Sequence, residues 1–331
     1  MKNHISLFIF AIALLSGPVS ANDLSMTAVK DTLASIPGEH NYIYVRTPLG
    51  EDEEKNYDEI TFYDGLGREL DFAQSYGADR AGAIMAHHHL IEYDSLGRKE
   101  KQWLSTNTSF SYMSPEDLKG GVLWDYHDAG KRSYLQTNYE SSPLNRITEQ
   151  YGVGDAWGDH PARMEYLTNI PADSLRCSFY FIDDNDSLIR RGDYRSGELQ
   201  VTKATDEDGK PTYTFVDKQG RTLLTRLGRG NQQADTYFVF DRFGRIRYVL
   251  PPMINDEISA GNLDLYAYQY LYDSFGRCIS KKLPGCAAIR YVYDKADRVI
   301  LSQNGNQSQK KEWTFTFYDN QGRLALTGLC S

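Results

Sequence analysis

The stretch "YDSFGR" at Tyr272–Arg277 recurs as "YDGLGR" at Tyr63–Arg68, "YDSLGR" at Tyr93–Arg98, "FDRFGR" at Phe240–Arg245 and "YDNQGR" at Tyr318–Arg323. Looser copies are "VDKQGR" at Val216–Arg221, "YDKADR" at Tyr293–Arg298 and "TDEDGK" at Thr205–Lys210. An Asp at the first position of a type I turn accepts a hydrogen bond from the backbone N–H two residues on. Gly at the fourth position takes the positive φ of a type I turn closed by a G1 bulge. The flanks "EITFYD", "YVYD" and "FTFYD" alternate or are β-branched, so each copy reads as strand, tight turn, strand.

The residues predicted to shape these turns follow copy by copy. They are Tyr63, Asp64, Gly67 and Arg68, then Tyr93, Asp94, Gly97 and Arg98, then Asp241, Gly244 and Arg245. Tyr272, Asp273, Gly276 and Arg277 come next, followed by Tyr293 and Asp294, and finally Tyr318, Asp319, Gly322 and Arg323. The Tyr that ends one strand and the Arg that opens the next are expected to stack across their own hairpin, for about 0.5–1 kcal/mol. An Asp occupied by main-chain amides is not free to accept a proton, so the phrase reads as architecture and not as chemistry.

First positions fall at 63, 93, 205, 216, 240, 272, 293 and 318. Irregular spacing suits a winding sheet with loops of variable length better than a strict solenoid. Between Arg98 and Thr205 no good copy stands. The chain therefore divides into an irregular N-terminal β domain over 39–196 and a ribbon of hairpins over 197–331.

Residues 1–21 read as a signal peptide, with Lys2 in the n-region, the apolar run "ISLFIFAIALL", and a small-x-small site ending at Ala21. Residues 22–38 read as a linker. The apolar run is too short for a membrane span, and no other stretch approaches the ~20 apolar residues a span needs. An exported chain is expected, in the periplasm, at the cell surface or secreted. The remaining ~310 residues can bury a substantial core. Tyrosine, with 24 copies, suits a pleated surface with its ring packed and its hydroxyl wet. A net charge of −9 argues against a nucleic-acid partner, which would want a basic face.

Export to an oxidising compartment makes disulfides possible among Cys177, Cys278, Cys286 and Cys330. Cys278 and Cys286 bracket "ISKKLPG", whose Pro284-Gly285 can turn a short hairpin, and are the candidate pair. With neither Cys-x-x-Cys nor a Cys/His cluster, no metal or cofactor is expected.

Aromatic-Asp-x-x-Gly-Arg resembles the YD signature of the rearrangement-hotspot (RHS) repeat proteins, which include toxin-complex shells and teneurins. "FYDGLGREL", "YESSPLNRITEQYGVGDAW" and "RCISKKLPGCAAIRYVYDKADRVI … WTFTFYDNQGRLALTGLC" extend the likeness to the N-terminal region of large secreted RHS-repeat proteins, where a domain of unknown function runs into YD repeats. The resemblance implies an all-β antiparallel ribbon of hairpins that curls as an open segment of a shell. It also implies a toxin-associated setting and partners such as a downstream RHS segment or a cargo domain. The chain stops at Ser331 directly after a repeat, without the shell-closing segment or toxin domain that the family's pattern includes, so enclosure by this chain alone is not expected.

Other clusters have plainer readings. In "HHH", His87 and His89 share one strand face, but no third ligand stands nearby. "DDNDS" at Asp183–Ser187 and "TDEDG" at Thr205–Gly209 lack the spacing of a calcium loop and read as turns. "GVGDAWGDHPAR" at Gly152–Arg163 could do acid–base work through Asp159 and His160 only from within a cleft. No nucleophile motif accompanies it, and a Gly-rich loop pinned by Trp157 is the plainer account. Tyr266, Tyr268 and Tyr270 alternate in "LYAYQYLYD" and, as one strand face, would offer a stripe for stacking on cell-envelope glycan. The expected function is a non-enzymatic structural scaffold. A glycan-binding surface module is the alternative, and an enzyme or toxin component the third reading.

Overall fold

The computed structural model describes Ile36 and residues 40–48, 56–78, 84–228, 233–254 and 257–331. The signal peptide and all but Ile36 of the linker read from the sequence lie outside the described residues. The fold is all-β and antiparallel, as expected, with three short α-helices among the described residues. The chain divides into two compact units, Met1–Ala162 and Arg163–Ser331.

In the first unit, β1 (Asn41–Pro48), β2 (Asn56–Tyr63), β3 (Glu69–Ala78) and β4 (Ile84–Tyr93) form a meander of consecutive antiparallel pairs. The ladder forks at β4. Its first half pairs with β6 (Thr106–Ser109) and its second half with β5 (Lys99–Trp103). From β5 the ladder continues to β7 (Tyr134–Tyr139) and β8 (Ile147–Tyr151). Period-two alternation buries Ile60, Phe62, Ala73 and Ala86 on one face, where Phe110 joins them. Helix α1 (Pro115–Asp125) buries Leu118 and Val122 and packs against β6 and β4. Ser114 caps it by accepting from Asp117 N, and Pro115 supplies the fixed φ of a first turn.

Polar side chains on the buried face make partners of one another, as burial favours, although Asp71 Oδ1 has none among the described residues. Asp58 accepts from the Tyr44 hydroxyl at 2.7 Å and from Arg46 at 2.7 and 3.0 Å. His88 Nδ1 lies 2.7 Å from Asp71 Oδ2, and its Nε2 lies 3.0 Å from the Ser109 carbonyl.

In the second unit, one ladder runs from β9 (Ala162–Thr168) to β12 (Gln200–Thr205) and β13 (Pro211–Val216). It continues through β14 (Thr222–Leu227), β15 (Ala234–Phe240) and β16 (Ile246–Leu250). β17 (Tyr268–Tyr272), β18 (Cys278–Lys282), β19 (Ile289–Tyr293) and β20 (Val299–Gln303) follow. β21 (Trp313–Tyr318) and β22 (Leu324–Cys330) close the sequence of strands. β9 pairs directly with β12, and residues 196 and 197 lie in the turn that leads into β12. Helices α2 (Ala260–Tyr266) and α3 (Gly305–Lys310) fill two connections between strands.

A separate hairpin, β10 (Ser178–Ile182) with β11 (Leu188–Asp193), packs on the core of this unit. That core gathers Leu199, Val201, Phe215, Leu224, Val239 and Leu250 from the ladder with Cys177 and Tyr180 from the hairpin.

Candidate functional site

The most repeated constellation in the molecule is the Tyr-Asp turn. In the first copy, Gly67 N donates to Asp64 O at 3.0 Å and Asp64 N donates to Arg68 O at 2.9 Å. Gly67 has φ +76, and the strand register slips by one residue between Phe62 and Tyr63, which together make the type I turn with a G1 bulge. Asp64 Oδ1 accepts from Leu66 N at 2.8 Å and Arg68 N at 2.9 Å, while Oδ2 accepts from Arg68 Nε at 2.7 Å. Asp94, Asp217, Asp241, Asp273, Asp294 and Asp319 repeat this pattern. The Arg298 backbone amide and guanidinium hold the Asp294 carboxyl below the usual carboxylate range, and those of Arg323 do the same for Asp319. None of these carboxylates is available as a base.

The Arg–Tyr stack is present, but between copies and not within one. Arg68 lies over the ring of Tyr93, 4.5 Å from its centroid, and Arg98 over Tyr139 at 4.7 Å. In the second unit Arg221 covers Phe240, Arg245 covers Tyr272, Arg277 covers Tyr293 and Arg298 covers Tyr318, at 4.8–5.2 Å. The expectation of a stack across the same hairpin fails for a geometric reason. Each Arg is turned in the plane of its turn by its own Asp, so its outer face meets the following hairpin.

Two further bonds lock the hairpins in register. The hydroxyl of the following Tyr donates to the carbonyl just after the Arg: Tyr93 to Glu69 O at 2.7 Å, Tyr139 to Lys99 O at 3.0 Å, Tyr293 to Cys278 O at 2.8 Å and Tyr318 to Val299 O at 3.1 Å. The Arg in turn donates through Nη1 to the carbonyl of the following acidic residue, as in Arg98 to Glu140 O (2.9 Å), Arg245 to Asp273 O (3.2 Å) and Arg277 to Asp294 O (3.1 Å).

This geometry exposes a copy that the sequence reading passed over. Tyr139-Glu140 to Asn145-Arg146 is a stretched version, two residues longer, with Glu for Asp and Asn145 at φ +54 for Gly. Glu140 N donates to Arg146 O at 3.0 Å, and Arg146 donates to both carboxylate oxygens of Glu140 at 2.8 and 2.7 Å. Arg146 and Ser142 bring the Glu140 pKa down to about 2. The available signal was an aromatic-acid pair followed by Asn-Arg. Asp183–Ser187 is another copy without the Arg: Asp183 Oδ1 accepts from Asn185 N and Ser187 N at 3.0 and 2.7 Å, and Asp186 sits at φ +65.

Beneath the β10–β11 hairpin, the second unit holds a cavity of about 440 Å³. Phe179, Phe181, Tyr194, Phe238 and Phe240 give it aromatic walls, with Gln219, Arg221, Asp241 and Arg242 at its polar side. The hairpin above is anchored at both ends. At its tip Asp186 accepts from Arg247 at 2.5 and 3.0 Å. At its base the buried Arg226 pairs with Asp235 at 2.7 and 2.6 Å and donates to the Ser174 and Arg176 carbonyls at 2.9 and 2.8 Å. Asp241 and Arg221 in the wall belong to repeat turns and are held there. The cavity therefore offers aromatic surface, with neither carboxylate nor guanidinium of those turns free for chemistry.

The remaining candidates disperse. His87 and His89 share a face as expected while His88 points to the core, and no group of three metal-ligating side chains occurs among the described residues. Asp155 caps a turn by accepting from Lys131 N and Arg132 N, whereas Asp159 and His160 are exposed and lie outside any cavity described. In the second unit, the 205–209 stretch is a turn in which Asp206 accepts from Lys210 N at 2.7 Å. The expected aromatic stripe breaks: Tyr266 ends α2 and packs on the core, and only Tyr268 and Tyr270 share a strand face.

The candidate bridge between Cys278 and Cys286 does not form, and all four cysteines are free thiols. Pro284-Gly285 does turn the chain, with Cys286 N donating to Leu283 O at 3.1 Å. Cys278, however, begins β18 and Cys286 lies in the turn beyond its other end. Four strand steps of ~3.3 Å already exceed disulfide reach.

Comparison with known proteins gives the fold a place. Residues 41–168 match the family model described as a domain of unknown function, DUF6443. No curated protein matches the chain. Among solved structures, TcdB2-TccC3 aligns over 88% of this chain at 13% identity with a TM-score of 0.56. Its fold is similar to that of TcdB2-TccC3. The complex TcdB2-TccC3-Cdc42 gives 14% identity and a TM-score of 0.57 over 88% of this chain, and TcdB2-TccC3-TEV gives 13% and 0.56 over 92%. The aligned part is 13–14% of those chains, so this protein spans about one seventh of the TcdB2-TccC3 length. No helix among the described residues is long and apolar enough to cross a membrane.

Proposed function

We propose that this chain is a non-enzymatic wall: an exported, partial RHS/YD-repeat shell segment that encloses or presents another domain or chain. The observation that carries this reading is the hairpin-to-hairpin lock. In the interior repeats the Asp carboxylate orients its Arg, the Arg meets the aromatic of the following hairpin, and where that aromatic is Tyr93, Tyr139, Tyr293 or Tyr318 its hydroxyl bonds back to the preceding one, so these repeated groups serve mechanical continuity. The fold likeness to TcdB2-TccC3 is in keeping with a toxin-component setting. The glycan-binding reading has less support, because Tyr266 is withdrawn from the proposed stripe.

The test is native isolation of the chain from the exported fraction, followed by proteinase K digestion. A wall yields a companion domain or polypeptide that resists digestion until the chain is unfolded. Saturable glycan-array binding abolished by Tyr268→Ala would replace the wall with a binding module. Hydrolytic turnover lost on Asp159→Ala or His160→Ala would replace it with an enzyme.

A further inference from the structure

The cavity of about 440 Å³ beneath the β10–β11 hairpin is lined in part by groups that no repeat turn uses. Arg242 is one of them. It is exposed, its guanidinium lies 4.9 Å over the ring of Phe243, and no carboxylate pairs with it among the described residues. No other copy of the turn has Arg directly after its Asp. Arg191, on β11, lies 5.4 Å over the Phe181 ring and likewise has no carboxylate partner among the described residues. The carboxylates at and beside the cavity are taken, Asp241 by Arg245 and Asp193 by Arg190. The uncompensated charge here is therefore positive, on a chain whose net charge is −9.

Two neutral donors also remain. Gln219 Oε1 accepts from Arg221 Nη2 at 3.4 Å, which leaves Gln219 Nε2 uncommitted among the described residues. Tyr194 lines the cavity with its ring in a T-shaped contact 4.8 Å from Phe179, and its hydroxyl makes no hydrogen bond among those residues. The apolar walls are preformed. Phe179 and Phe181 stack with centroids 5.6 Å apart and planes 23° apart, and Arg221 covers Phe240 at 5.2 Å. The hairpin that carries the first two is clamped at its tip by Arg247 and at its base by Arg226. A site whose walls are fixed by the fold spends little binding energy on ordering itself, and this volume lies within the range of small-molecule sites.

We propose that this cavity binds a small planar aromatic carboxylate, its ring against Phe179, Phe181 and Phe240 and its carboxylate at Arg242, with Gln219 and Tyr194 as further donors. Several aromatic faces in one cavity favour a flat ring, which can meet them offset or edge-on. The anion follows from Arg242, whose planar guanidinium presents paired N–H donors that match a carboxylate. A cation would meet two guanidiniums and no free carboxylate. A neutral sugar stacks on such rings too, but its hydroxyls need acceptors, and the Asp241 carboxylate is already filled by Phe243 N, Arg245 N and Arg245 Nε. The inference does not draw on the wall reading and stands or falls apart from it.

Isothermal titration calorimetry of the purified chain tests it with four probes: 2-naphthoate, its neutral analogue 2-naphthamide, the puckered decahydro-2-naphthoate and the cationic 2-naphthylmethylamine. Saturable one-to-one binding of 2-naphthoate is expected, about tenfold tighter than the amide or the decahydro acid, with no heat of binding for the amine. Arg242→Gln should bring 2-naphthoate down to the affinity of the amide and leave the amide unchanged. The probe series leaves the protein untouched, and unchanged amide binding shows that the variant is folded, so a folding defect cannot imitate the result. Absence of saturable 2-naphthoate binding overturns the site. Equal affinity for acid and amide, equal affinity for the flat and puckered acids, or acid binding indifferent to Arg242→Gln also overturns it.

Discussion

The Arg68 guanidinium lies 4.5 Å over the ring of Tyr93, and the Tyr93 hydroxyl donates to the carbonyl of Glu69, the residue after that same Arg, at 2.7 Å. One aromatic side chain thus reads both the side chain and the main chain of the preceding hairpin. Tyr93→Phe removes one hydrogen bond and is expected to lower stability by about 0.5–1.5 kcal/mol in urea unfolding. A double-mutant cycle with Arg68→Lys should return a stacking coupling of about 0.5–1 kcal/mol, and a cycle of Tyr63 with Arg68 should return none.

Gly67 has φ +76, and a Cβ built there meets nothing within 4 Å. Any penalty at this position is therefore backbone conformation and not crowding. Gly67→Val is expected to cost about 1–3 kcal/mol, read as a shift in the urea midpoint, whereas Gly65→Ala in the same turn, with open space and no positive φ, should be nearly silent.

Acid should loosen the ladder by a calculable sign. Asp294 and Asp319 have folded pKa values below the usual carboxylate range, and Glu140 sits at about 2. A carboxyl depressed by folding contributes fully above its unfolded value, about 4, and loses that contribution as pH falls through the folded value. The urea midpoint is expected to be flat with respect to these groups above about pH 5 and to fall between roughly pH 4 and 2. Glu140→Gln should remove its share of that slope.

Arg226 is 1% exposed and donates to Asp235 and to two carbonyls at the base of the β10–β11 hairpin. Truncation leaves a carboxylate and two carbonyls without their donor. Arg226→Ala is expected to cost about 3–5 kcal/mol. Limited proteolysis should then cut first within 173–193, because that hairpin loses its clamp while the ladder behind it remains.

Thiol accessibility offers an independent check on the corrected bridge. Cys286 and Cys330 are exposed, while burial pushes the Cys177 thiol up to about 12. Iodoacetamide mapping of the folded protein is expected to label Cys286 and Cys330 and to reach Cys177 only in denaturant. A recovered Cys278–Cys286 linked peptide would contradict the strand positions described above.

The hairpins were legible because Asp and Gly act locally. A turn of this type is written in four adjacent residues, and Tyr63–Arg68 folds as that local chemistry dictates. What was not legible depends on neighbours remote in sequence. The stack of Arg98 on Tyr139 joins residues 41 apart, and no local pattern says which ring an Arg will meet. The stretched copy at Tyr139–Arg146 escaped because Glu140 reaches with a longer side chain across a longer loop, so the spacing no longer matched. The Tyr266–Tyr270 stripe misled because alternation was read through Ala267, where the Ser259-capped α2 ends and β17 begins. The clamp of Arg226 on 174–176 had no sequence signal; an Arg in "TLLTRL" reads as a solvent-facing strand residue until the hairpin is placed over it.

The lock between repeat hairpins has a direction: each covered Arg is met by an aromatic that comes later in the chain. A polypeptide threaded head-first through a narrow export channel would thus find, at every emerging turn, a finished seat on the side already outside. Assembly could advance like a zip drawn in the order of translation, with little naked edge exposed at any moment.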